Sequence, residues 1–193
     1  MSGFVVHLMR HGAPTTPGLL LGRTDMPPTR AGVDACVAQV ADLSFGAIVA
    51  SDLQRCALTA AEIGAMRGMP SGVDRRWREL DFGDWDGLAP SQLDSDALGA
   101  FCDDPDANPP PGGEHWSSLV ARVASAIDGI AADARAGDTL VVTHGGAIRA
   151  ALASLFGFEQ PQLWSFALPY AAVVSLRIWP GSPRTAQIVG LWA

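Results

Sequence analysis

The chain has 193 residues, 48% of them apolar and 17% charged, with a formal net charge of −7. That length suits a single domain, residues 1–193, able to bury a sizeable core. The acidic balance disfavours a nucleic-acid surface, which would carry a basic face, and no apolar run approaches the ~20 residues of a membrane span.

In chain order, residues 4–9 read as a buried, valine-rich strand that runs directly into Arg10-His11-Gly12. Residues 13–28, with four prolines, read as a loop. Thr29 is an N-cap candidate for a helix over 29–43. "FGAIVAS" predicts a short strand ending at Ser51, and "SDLQRCALTAAEIGAM" a helix capped by Ser51 or Asp52. An irregular Gly/Asp/Trp-rich stretch opens at residues 78–80, and 103–114 reads as a surface loop. A long amphipathic helix is expected over 114–136. "DTLVVTH" (138–144) predicts a second buried strand, followed by a helix over 145–156 that Gly157 ends. Two final strands are expected at 172–179 and 185–192. Strands alternating with helices predict an α/β fold: a three-layer sandwich with a mostly parallel central sheet flanked by helices.

Two of the four histidines, His11 and His144, stand at strand ends just before glycine. In open α/β sheets, ligands bind beyond such ends. If the two strands are neighbours, both imidazoles face one crevice, and a helix N-terminus after Gly12 and another after Gly145 would offer free N–H groups to an anion. His7 and His115 lack such a context and read as structural or surface residues.

The chain contains no lysine, so its thirteen basic residues are all arginines. That removes Schiff-base chemistry, Ser-Lys dyads and the P-loop lysine. Cys36, Cys56 and Cys102 are odd in number and widely spaced, which predicts reduced cytoplasmic thiols and no disulfide framework. No basic n-region with a cleavage site opens the sequence.

Arg10 precedes His11, and Arg55 lies one helical turn past Ser51. Guanidinium groups bind phosphate oxygens as planar forks, so two arginines, two histidines and two glycine turns predict a phosphoryl pocket. Its positive charge would come from the arginines, the helix N-termini and a protonated histidine, with no metal needed. A metal site is the alternative for the histidine pair, and it lacks a third ligand at metal spacing. An imidazole held through one nitrogen is a competent nucleophile, and Glu79 in "WRELDFGDWDG" is the candidate proton donor for a leaving alkoxide. The competing reading of Glu79 is a salt bridge to Arg76 or Arg78.

Five motifs in this order, "LMRHG", "ASDLQRCALTA", "RELDFGDWDG", "PGGE" and "VVTHGG", resemble the histidine phosphatase superfamily, also called phosphoglycerate mutase-like. The resemblance spans residues 4 to about 170. It implies a phosphohistidine intermediate on His11, phosphoryl oxygens held by Arg10, Arg55 and His144, and Glu79 acting as acid and then as base. It implies no metal and no cofactor, and a small phosphomonoester as substrate. A homo-oligomer is left open.

Within the superfamily the chain is similar to the short bacterial phosphatases, above all the α-ribazole phosphatase group, whose loop "LLGRTDMPPTRAG" resembles. Leu21, Gly22 and Arg23 of that loop, with Gly12 and Gly145, are then expected near the substrate. Pro14 replaces the threonine common after the first histidine, which weakens the mutase branch. Gly145 stands where acid phosphatases place an aspartate, which leaves the proton to Glu79. Phosphoglycerate mutase is the alternative activity, and a phosphate-binding module without catalysis is the alternative class. Asp81, Asp84 and Asp86 read as loop and cap residues. Trp77, Trp85 and Trp116 read as packing, with Trp85 or Trp116 a candidate for the leaving-group side.

Overall fold

The computed structural model describes residues 3–133, 137–179, 181 and 184–193. Six strands form one sheet in the order β3-β2-β4-β1-β5-β6. They are β1 (Phe4–Arg10), β2 (Ala47–Ala50), β3 (Ser71–Val73), β4 (Thr139–Thr143), β5 (Val173–Trp179) and β6 (Thr185–Trp192). β3, β2, β4 and β1 run parallel, and β5 is antiparallel to both of its neighbours, β1 and β6.

Alternation along the central strands sorts the core onto two faces. Val6, Leu8 and Val141 pack with Leu119, Val123, Ile127, Ile148 and Leu152 from α4 (Trp116–Ala132) and α5 (Gly145–Phe156). Met9, Leu140 and Val142 pack with Cys36, Cys56 and Ile63 from α1 (Arg30–Gln39) and α2 (Gln54–Arg67). The expected three-layer α/β architecture is therefore present. Among the described residues no helix is long and apolar enough to cross a membrane.

Several boundaries differ from the sequence expectation. Thr29 does cap α1, its hydroxyl accepting from the Gly32 N–H at 3.0 Å. α2, however, is capped by neither Ser51 nor Asp52. It starts later, with Leu53 at the cap position, because Asp52 is drawn away to pair with Arg75 and Arg78. The helix predicted to Ala136 ends at Ala132, and 134–136 lie outside the described residues. β3, α3 (Ser95–Asp103) and α6 (Gln160–Trp164) were not expected. Each is short, and the stretches around α3 and α6 carry several prolines and glycines.

Candidate active site

Two ladders place the histidines. β1 and β4 pair in register Arg10↔Thr143, and the His11 N–H donates to the Thr143 carbonyl at 2.8 Å. The next residue on each strand is therefore His11 and His144, with ring centroids 5.1 Å apart. β2 lies on the other side of β4, so α2, which follows it, delivers Arg55 to the same strand ends.

The two rings carry their protons on opposite nitrogens. His11 Nδ1 lies 2.8 Å from the Gly12 carbonyl. A carbonyl only accepts, so Nδ1 holds the hydrogen and Nε2 keeps a bare lone pair. His144 Nδ1 lies 3.2 Å from Arg55 Nε. A guanidinium only donates, so this Nδ1 is bare and a neutral ring carries its hydrogen on Nε2, which lies 3.4 Å from Cys56 Sγ. Burial pushes the His11 pKa down to about 3, against the opposing pull of the Gly12 carbonyl, with Arg55 and Arg10 adding to the fall. Burial, and then Arg55, drive His144 well below the usual imidazole range. Both rings are neutral at pH 7, so the protonated histidine expected from the sequence is absent here.

A cavity of about 380 Å³ opens at this end of the sheet, and Arg10, His11, Glu79, Gly145 and Gly146 form its inner part. Arg55 and His144 lie behind it, fully buried. Arg10 donates through Nη1 to the Leu168 carbonyl at 2.5 Å, and its guanidinium carbon lies 4.2 Å from the Tyr170 ring centre. Its buried Nε has no hydrogen-bond partner. An unpartnered charged donor at this depth is costly, so the position favours an anion.

Glu79 reaches the start of α5. Its carboxyl group accepts from the Gly146 N–H at 3.1 Å and the Leu80 N–H at 2.9 Å. A Cβ on residue 146 would overlap the Glu79 carboxylate, so glycine is what lets the two meet. The salt-bridge reading of Glu79 does not hold, because Arg76 pairs with Asp74 and Arg78 with Asp52.

Sequence reasoning missed how this glutamate is held. Arg122, on α4, donates to the carbonyls of Arg76, Arg78 and Glu79 at 2.7–2.8 Å. It is itself clamped by both oxygens of Glu114 at 2.8 Å. The "PGGE" motif thus serves the site through Glu114 and Arg122. An arginine eight residues beyond a motif glutamate, on a predicted helix, was the available signal.

The remaining expectations divide. Gly145 and Leu21 border the cavity, as does Trp116; Trp85 does not, and packs instead against Phe101. Gly12 is followed by a loop and not by a helix, α1 beginning only at Arg30. Its glycine is needed because a Cβ there would overlap the Gly32 carbonyl.

Gly22 and Arg23 do not border the cavity. The Gly22 N–H donates to Asp86 at 2.7 Å, and Arg23 pairs with Asp81. Asp86 also accepts from the Thr24 N–H at 2.7 Å, while the carbonyls of Leu21 and Thr24 accept from Arg55 at 2.7 and 2.9 Å. Asp86 therefore shapes the loop that grips Arg55. His7 is a core residue on Ser175 and Ser44. Among the described residues, no three His, Cys, Asp or Glu side chains converge as a metal-binding group.

Known proteins resemble this chain in sequence and in fold. A glucosyl-3-phosphoglycerate phosphatase of Mycobacterium tuberculosis is 35% identical over 161 residues, 76% of this chain and 65% of that one. The match thus spans just under two thirds of that relative's length. The adenosylcobalamin/alpha-ribazole phosphatase of Escherichia coli is 27% identical over 167 residues, 82% of each chain. The native structure of a mycobacterial glucosyl-3-phosphoglycerate phosphatase superposes with a TM-score of 0.85 at 26% identity, covering 98% of both chains. The family model of the histidine phosphatase superfamily (branch 1) matches residues 6–189, and the chain belongs to that superfamily.

Proposed function

We propose that the protein hydrolyses small phosphomonoesters through a phosphohistidine on His11, without a metal. The observation that carries this reading is the tautomer of His11. Its Nδ1–H is tied to the Gly12 carbonyl, and Nε2 is left as a bare lone pair in a cavity shared with Arg10 and Glu79. In this scheme Nε2 attacks phosphorus, and the P–O bond to the leaving group breaks in line. Glu79, entering the step as the carboxylic acid, gives that oxygen its proton. It then takes one from the water that cleaves the P–N bond, releasing inorganic phosphate and restoring the imidazole.

Arg10 supplies charge to the phosphoryl oxygens directly, with its unpartnered Nε nearest to hand. Arg55 adds its charge from behind the cavity, neutral His144 contributes an Nε2–H as a hydrogen-bond donor, and the Gly145 N–H at the start of α5 adds a backbone donor. The relatives' names offer two leaving groups, α-ribazole and a glucosylglycerate, and the α-ribazole group is the one whose loop wording this chain shares. The test is a panel of phosphomonoesters, including α-ribazole phosphate, glucosyl-3-phosphoglycerate and 3-phosphoglycerate, assayed in excess chelator. Release of inorganic phosphate is the expected result. Isomerised phosphoglycerate without release would assign a mutase, and phosphate binding without turnover a binding module.

A further inference from the structure

Beyond the phosphoryl end, the cavity opens onto a wall that the proposed chemistry does not use. Leu20 comes from the loop before α1, Phe82 from the turn after Glu79, Leu98 and Phe101 from α3, Trp116 from the start of α4, and Trp164 from α6. Five separate segments thus converge apolar and aromatic side chains on one space. At about 380 Å³ it is the size of an organic ligand and far exceeds a phosphate.

Gln160 and Tyr170 add polar groups to the cavity lining, and others there are already committed. The Trp164 indole N–H donates to the Cys102 carbonyl at 3.1 Å. Arg149 spends Nε and Nη2 on the carbonyls of Leu163 and Phe166, and its guanidinium carbon lies 4.7 Å from the Trp164 ring centre. Glu79 is the one carboxylate among the described lining residues, and it belongs to the phosphoryl end.

Such a wall selects by what it withholds. A hydroxyl moved from water onto Leu20, Phe82, Leu98 and Phe101 loses hydrogen bonds that these side chains do not replace. A methylene covered by the wall gains roughly fourfold in affinity. We infer that the substrate carries an apolar leaving group, alkyl or aryl, packed on this wall, and that polyhydroxylated leaving groups are disfavoured. This rests on the phosphatase reading for where the phosphoryl group sits, and names the substrate class of the same site.

The test is calorimetric titration with non-hydrolysable alkylphosphonates from methyl to hexyl. Affinity should climb about fourfold per methylene until the wall is covered, and 2,3-dihydroxypropylphosphonate should bind more weakly than propylphosphonate. Leu98→Gln should flatten the series. A flat or falling wild-type series, tighter binding of the dihydroxy compound, or no phosphonate binding overturns the inference. Hydrolysis of 4-nitrophenyl phosphate is followed in parallel. Turnover without chain-length dependence overturns the leaving-group class alone. Chain-length dependence with no ester turned over removes the phosphatase reading and leaves an apolar binding site.

Discussion

His11 and His144 end neighbouring parallel strands, each precedes a glycine, and in the sequence they look interchangeable. The structure separates them. His11 borders the cavity, is tied by Nδ1 to its own neighbour's carbonyl, and leads into a loop. His144 lies behind, accepts from Arg55 through Nδ1, and leads into α5. One ring is left with a bare Nε2, and the other with its hydrogen on Nε2. In the proposed scheme the same local motif thus serves once as attacking group and once as orienting group, and the hydrogen-bond partner decides which.

The sharpest way to break this comparison is to remove each ring in turn. His11→Ala should abolish covalent labelling and cut hydrolysis on the order of 10⁶-fold, the scale of losing a covalent nucleophile. His144→Ala should keep labelling but slow it by roughly 10²–10³-fold, the scale of one lost transition-state donor. It should also cost about 1–3 kcal/mol of stability, because Arg55 Nε is left buried without an acceptor. Rapid-quench labelling and denaturant melts read the two effects. Equal labelling loss in both variants would erase the distinction.

Glu79 sharpens the comparison from the leaving-group side. Glu79→Gln should slow alkyl phosphates by about 10²–10⁴-fold and aryl phosphates far less, since a phenolate departs without a proton. Equal losses on both substrate types would move the acid elsewhere, with Asp81 the next candidate.

A smaller effect is expected of Asp86, which touches neither ring. Asp86→Ala removes the acceptor of the Gly22 and Thr24 N–H groups and so loosens the loop that grips Arg55. KM should rise more than kcat falls. A purely structural role would lower the melting temperature and leave both constants unchanged.

The last effect is read in stability and not in rate, as its pH dependence. His11, His144 and His7 all have folded pKa values pushed below the usual 6.5. Below pH 6.5 the unfolded chain takes up protons that the folded chain refuses. Stability is therefore complete above about 6.5 and lost as the pH falls toward the folded values, about 3 for His11. Denaturant midpoints between pH 7 and 5 should fall, and His11→Gln should make that fall shallower. A rise toward pH 5 would contradict neutral, buried rings.

The clustering of Arg10, His11 and His144 was legible in the sequence because strand ends, glycines and arginines at fixed spacings set it. Arg10, His11 and His144 needed only the pairing of β1 with β4. The opposite wall was much less so. Trp164 and Leu98 stand on short elements, α6 and α3, whose local patterns are weak, and nothing local announces that they meet Phe82 and Trp116. Arg122 and Glu114 were missed for a related reason. Their importance lies in carbonyls of residues 76–79, and backbone acceptors leave no mark on a sequence. The helix N-terminus expected after Gly12 was at odds with the four prolines of residues 13–28, and the chain runs there as a loop up to α1, with Gly12 packed closely on Gly32.

The account stands or falls on the covalent step at His11. Rapid mixing with a ³²P-labelled ester, quenching in alkali and mapping the label should give an alkali-stable, acid-labile phosphate on His11, formed and lost within a turnover. Label on another residue, or retained in His11→Ala, would contradict it.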